Sequence, residues 1–174
     1  ENLWIATGKT SPSSPNTHNN LGDVYGRQGD KQKSLQEFQT AIALKPNYAD
    51  AYHNLGNVYR ELGQIDKALE SYQKAAQFNP HLWQSYQNIA ALYFANAREQ
   101  NSSPDFADKQ YDKAVEYIQK AISINPKNLN LVNNLGVVYL AKGDKEKAKE
   151  VFLSVLQVDP QNQFAKAGLS ETSK

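Results

Sequence analysis

The sequence contains no cysteine and no methionine. The first absence excludes disulfides, thiolate metal ligation and a cysteine nucleophile, and it leaves the redox compartment open. The second, with Glu1 as the first residue, points to a fragment of a larger protein or a processed product. Histidine is scarce. His18, His53 and His81 fit neither an H-x3-H pair nor an HExxH helix, so no metal site is expected. An excess of charge of one sign is also missing: 19 Lys and Arg stand against 18 Asp and Glu, for a net charge of +1. A binder of phosphate backbones needs a clustered basic surface. None is evident, and basic and aromatic residues do not alternate on one face, so no nucleic-acid partner is expected. No apolar run approaches the ~18 residues that cross a bilayer, so this stretch is not expected to span a membrane. Glycines such as Gly29, Gly63 and Gly143 mark helix ends at the repeat interval, unlike a phosphate loop. Acidic residues such as Asp66, Glu70, Glu146 and Glu150 fall on helix faces with no carboxylate pair. No catalytic constellation emerges. The chain is expected to be no enzyme and to need no cofactor.

What is present is a period. Leu21-Gly22, Leu55-Gly56, Ile89-Ala90 and Leu135-Gly136 recur at intervals of 34, 34 and 46 residues. Pro12, Pro46, Pro80, Pro126 and Pro160 keep the same count, as do Tyr25, Tyr59, Tyr93 and Tyr139. Phe38, Tyr72, Ile118 and Phe152 follow it too, with Ala41, Ala75, Ala121 and Val155. In the second unit of the period, Tyr52, Leu55, Val58, Tyr59 and Leu62 form a helical stripe that Gly63 closes. Ile65, Ala68, Leu69, Tyr72 and Ala75-Ala76 form a second stripe that Asn79-Pro80 ends. Each unit is therefore a helix hairpin. A lone hairpin cannot bury its apolar faces, so hairpins must stack.

This pattern resembles the tetratricopeptide repeat (TPR), whose signature places W, L-G, Y, A, F and P over 34 residues. The second unit comes nearest, with Tyr52, Leu55, Gly56, Tyr59, Gly63, Ala68, Tyr72, Ala75 and Pro80. The resemblance implies an all-α solenoid of four hairpins in a right-handed superhelix. The repeats are expected at 15–48, 49–82, 83–128 and 129–162, with a capping helix and tail at 163–174. Residues 1–14 are read as the remnant second helix of an upstream repeat, because Trp4 precedes Pro12 by the distance that separates Phe38 from Pro46. The third repeat carries a 12-residue insertion near 98–109. Its first helix is expected to run past Ala97 and break at Ser103-Pro104. Two readings of the insertion stand: a tolerated surface loop, or a rim contact for a partner. Asn101-Ser102-Ser103 within it fits the N-glycosylation pattern.

The resemblance also implies a function: a non-enzymatic scaffold that binds a protein or peptide in its concave groove, lined by the first helix of each repeat. Counting from Pro15, Ala49, Trp83 and Leu129, position 6 is asparagine in every repeat: Asn20, Asn54, Asn88 and Asn134. An amide offers both donor and acceptor. Such a column is similar to the asparagine ladders with which some TPR superhelices grip peptide backbone; alternatively it only solvates a helix face. Position 9 runs Asp23, Asn57, Ala91, Val137, and position 12 runs Gly26, Arg60, Phe94, Leu140. Asp23, Asn57 and Arg60 make the N-terminal half polar. Phe94, Val137 and Leu140 either form an apolar pocket or are covered by the long third repeat. The carboxylate clamp of chaperone-tail binders is not matched, since Asn19, Asp23, Asn54, Gln84 and Asn88 supply no cationic pair.

A second, shorter resemblance concerns Leu3-Trp4, Ser11-Pro12 and the Asn-Leu-Gly that follows. It looks like the junction in membrane-embedded glycosyltransferases that carry a TPR tail outside the cytoplasm, and implies an accessory domain of a larger enzyme. A third reading is self-assembly through truncated ends, with Leu3, Trp4 and Ile5 as an incomplete cap. Replacing Trp4 by a charged residue is then expected to lower the melting temperature or to reduce self-association in light scattering. No change in either would rule out Trp4 as a packing or interface residue.

Overall fold

The computed structural model describes residues 14–99 and 103–173. The expected helix near residues 1–9, Trp4 and the Leu3-Trp4 to Ser11-Pro12 junction lie outside the described residues, as do Asn101 and Ser102. Every regular element among the described residues is an α-helix, in keeping with the all-α expectation. The helices are α1 (Pro15–Arg27), α2 (Lys31–Leu44), α3 (Ala49–Glu61), α4 (Ile65–Phe78), α5 (Trp83–Ala97), α6 (Pro104–Ile124), α7 (Leu129–Lys142), α8 (Lys145–Val158) and α9 (Gln163–Thr172).

Local chemistry sets their ends. Pro15 and Pro104 open α1 and α6, where proline's fixed φ suits the first helical position and its missing N–H is not needed. Asp30, Ser103, Asn128, Asp144 and Asn162 cap α2, α6, α7, α8 and α9 by accepting from a backbone N–H two or three residues on. The lysine beside each aspartate, Lys33 or Lys147, holds the Asp30 and Asp144 carboxyls below their ordinary range. The turns after α1, α3 and α7 pass through Gly29, Gly63 and Gly143 at φ of 82, 72 and 88°, a region that side chains resist.

The third hairpin lacks that glycine and departs from expectation. α5 does not run past Ala97; it closes with short turns from Arg98 to Ala95 and from Glu99 to Asn96. The insertion lengthens the second helix instead, and α6 has 21 residues where α2, α4 and α8 have 14. Ser103-Pro104 starts a helix rather than ending one, because the serine accepts from the Phe106 N–H at 3.3 Å and the proline follows it.

The chain divides into two compact units, Glu1–Ser85 and Tyr86–Lys174. In the first, α1 packs on α2, α2 on α3 and α3 on α4, with α1 also touching α3. In the second, α6, α7, α8 and α9 pack in sequence and α9 also touches α7. Both cores use one device. The second helix presents a large ring to the first helix where that helix has no Cβ. A Cβ on Gly22 would come within 2.6 Å of Phe38, one on Gly56 within 2.7 Å of Tyr72, and one on Gly136 within 2.6 Å of Phe152. Phe38, Tyr72 and Phe152 are 2%, 0% and 0% exposed. Burial pushes the Tyr72 phenol up to about 12, and its hydroxyl donates to Asn57 Oδ1 at 2.7 Å. In the third hairpin the corresponding residues are Ala90 and Ile118, a larger residue matched by a smaller one, and both are buried.

Each hairpin is also clipped between its two helices. Lys33, Lys67, Lys113 and Lys147 lie over the rings of Tyr25, Tyr59, Tyr93 and Tyr139 at 5.4, 5.5, 5.0 and 5.5 Å. A lysine thus recurs beside the recurring tyrosine.

Replacing Gly56 by alanine is expected to destabilise the protein by roughly 1–3 kcal/mol, because the fully buried Tyr72 ring has nowhere to move. Denaturant titration of the variant measures this. An unchanged midpoint would mean that the ring does not set the helix spacing.

Candidate functional site

In the first unit, α1 and α3 carry the predicted contact residues. Asn20, Asn54 and Asn57 are half-buried, while Asp23 and Arg60 are more open to solvent. Asn54 donates from Nδ2 to Asn19 Oδ1 at 3.2 Å, so the two first helices are tied side by side through their amides. Asn57 accepts from Tyr72, and Asp23 pairs with Arg27 at 2.6 Å. Asp23, Asn54 and Asn57 come together on the wall of one cleft of about 300 Å³, which Gly26, Phe38 and Glu61 also line. Arg60 does not line it. Across the cleft Lys31 meets Glu61 at 3.3 Å and donates to its backbone carbonyl at 3.2 Å.

Two histidines act between helices. His18 Nδ1 lies 2.6 Å from Glu37 Oε2 and joins α1 to α2. His53 Nδ1 lies 2.9 Å from Ser85 Oγ and joins α3 to the start of α5, with its ring 5.5 Å from that of Tyr72. Ser85 is fully buried. Position 5 therefore serves packing between first helices at His53 and Asn19, rather than facing a partner freely.

In the second unit, Asn88, Asn134, Phe94, Val137 and Leu140 are all half-buried. The Phe94 ring meets Tyr111 of α6 at 5.9 Å, and Arg98 lies 5.5 Å from the centre of the Phe94 ring. Val137 and Leu140 pack against the core formed by Ala148, Phe152, Val155 and Ala165. Phe94 is thus joined to the lengthened helix, whereas Val137 and Leu140 belong to the α8–α9 side. Tyr86, Tyr117 and Tyr93 form a stack, with Tyr117 at 6.4 and 5.6 Å from the other two. Lys142 is held by Asp112 and Asp108, which raise its pKa above the usual lysine range, beside an open cleft of about 530 Å³ at the start of α6. None of the predicted site residues lines that cleft. Its position in the insertion was the sequence signal that pointed toward it.

Patterns of the tetratricopeptide-repeat family match residues 28–59, 49–82 and 105–169. The chain carries tetratricopeptide repeats. Among solved structures it is similar in fold to MamA residues 41-end from Desulfovibrio magneticus RS-1, at 22% identity and a TM-score of 0.70, covering 90% of this chain and 81% of that one. TTC0263, a thermophilic TPR protein of Thermus thermophilus, is similar at 21% identity and a TM-score of 0.69, covering 91% and 81%. PilF of Pseudomonas aeruginosa is similar at 20% identity and a TM-score of 0.72, covering 91% and 67%. No curated protein matches. TPR hairpins are a protein-interaction architecture, and no described helix is long and apolar enough to cross a membrane.

Burial holds the His53 pKa below its ordinary 6.5, the main opposing influence being Asp50. As pH falls through 6.5 the unfolded chain takes up the proton first, so this residue's contribution to stability is full at neutral pH and is lost on acidification. The melting-temperature difference between the natural chain and His53→Asn is therefore expected to shift against the natural chain between pH 8 and pH 5. A shift in the opposite direction would mean that the folded state holds the imidazole charged.

Proposed function

We propose that the repeats bind an extended peptide or partner segment chiefly by its backbone, through Asn20 and Asn54 in the first unit and Asn88 and Asn134 in the second. The observation that carries this is an amide at the same position of every first helix, half-buried in each case. Asn20 and Asn134 have no side-chain hydrogen bond among the described residues. Asn54 spends its donor on Asn19 and keeps a carbonyl oxygen. An extended peptide brings backbone N–H and C=O groups that need partners, and an amide can satisfy either. Side-chain preference falls to Asp23, Asn57 and Arg60 in the first unit, and to Phe94, Val137 and Leu140 in the second.

Asn20 and Asn134 give the clean test, since neither is tied to a neighbouring helix. Replacing either by alanine is expected to weaken binding of a peptide selected from a random library by ~0.5–1.5 kcal/mol, roughly 2- to 13-fold, with an unchanged melting temperature. Titration calorimetry measures it. Undiminished binding by both variants defeats the backbone reading. Lost binding with a collapsed melting temperature assigns the asparagines to the fold.

A further inference from the structure

Position 12 of the first helices is occupied in the second unit and vacant at the start of the first. Phe94 packs on Tyr111, and Leu140 on the core around Phe152. Gly26 has no side chain. A Cβ built on it would meet one atom, the Ser34 hydroxyl at 3.3 Å, whereas a Cβ on Gly22 would strike the Phe38 ring at 2.6 Å. Packing demands glycine at 22. At 26 a few tenths of an ångström of movement would admit a methyl group, and the missing side chain opens onto the cleft of about 300 Å³.

That cleft has a definite chemistry. Its rim carries two acids and two bases, and they pair off: Asp23 with Arg27 at 2.6 Å, and Glu61 with Lys31 at 3.3 Å. Its floor is apolar, with Phe38 and Val58. Its wall holds Asn54, whose carbonyl oxygen has no protein donor among the described residues.

We propose that Gly26 opens a specificity pocket for one side chain of the bound peptide, and that the pocket selects an uncharged side chain with an apolar stem and a hydrogen-bond donor at its tip, glutamine or tyrosine. This rests on the peptide-binding reading above. A charged occupant must break a rim pair or leave its own charge unmatched in a half-enclosed space. A purely apolar one strips water from Asn54 without replacing its hydrogen bond. A glutamine amide or a tyrosine hydroxyl donates to that oxygen and covers Phe38 and Val58. The volume is at the lower end of small-molecule pockets and suits one side chain rather than a cofactor.

The test selects peptides from a random library on the natural chain and then exchanges single positions. One position is expected to favour glutamine or tyrosine. Gly26→Leu is expected to bind that peptide about tenfold more weakly, yet to bind the version with glycine at that position as well as the natural chain does. The second measurement shows that the variant is folded. Arg27→Ala, which unpairs Asp23, is expected to shift the preference toward lysine or arginine, and Glu61→Gln toward glutamate or aspartate. A charged preference in the natural chain, a preference that survives Gly26→Leu, or no shift in the two charge variants overturns the pocket. A preference that is present while Asn20→Ala and Asn134→Ala both leave affinity intact overturns only the backbone reading. No enriched peptide at all overturns both.

Discussion

A ring resting on helix backbone is the contact from which the other positions follow. Phe38, Tyr72 and Phe152 lie where Gly22, Gly56 and Gly136 leave no Cβ, and each ring is 16 residues after its glycine. The spacing locks the two helices of a hairpin in one register. Successive residues on a helix turn by about 100°. Position 6, two residues before the glycine, is therefore turned roughly 200° away from the ring. The asparagines are sent to the side opposite the packing contact by geometry alone. Position 12, four residues after the glycine, returns to within about 40° of it. Gly26 therefore opens beside Phe38, and that is why an apolar floor lies under a polar rim.

The same contact explains how the third hairpin tolerates its insertion. Ala90 and Ile118 replace glycine and ring, and the burial of both keeps the interface closed. Seven of the extra residues enter before Ile118 as helix, 21 residues against 14, so they lengthen α6 at its start and leave the register near its end undisturbed. The Tyr86, Tyr117 and Tyr93 stack adds contact between α5 and α6 where the ring-on-glycine packing is absent.

The period, the hairpins and their ends were legible because each depends on residues close in sequence or on a position repeated many times. Gly63 and Gly143 announce turns by themselves, and Leu55, Val58 and Leu62 announce a buried face. The course of the insertion was not legible, since Ser-Pro reads equally as a stop and as a capped start; only the Phe106 N–H bond to Ser103 decides. Nor were the lysines over Tyr25, Tyr59, Tyr93 and Tyr139, although Lys33, Lys67, Lys113 and Lys147 recur as regularly as the rings they cover. Long exposed side chains read as solvated until their direction is known. The candidate site was legible as positions but not as partners. That Asn54 donates to Asn19, or that His53 meets Ser85, depends on side-chain rotamers across helices far apart in sequence.

The charge pattern limits how such a surface can recognise anything. With a net charge of +1 the chain offers little field to steer a charged partner. Many of its charges are satisfied locally, as in Asp23 with Arg27, Lys74 with Glu70 and Lys120 with Glu116, each one helical turn apart. Exposed pairs of this kind add little to stability, because water already solvates both partners. Their effect is subtractive: they remove single charges that would otherwise attract any oppositely charged peptide. On the proposed peptide binding, what is left to discriminate is the placement of amides and the shape between helices. Hydrogen bonds to a backbone are indifferent to sequence, so they supply affinity without choice. Choice then has to come from places where the repeat breaks its own pattern, and the vacancy at Gly26, set against Phe94 and Leu140 at the same position, is such a break.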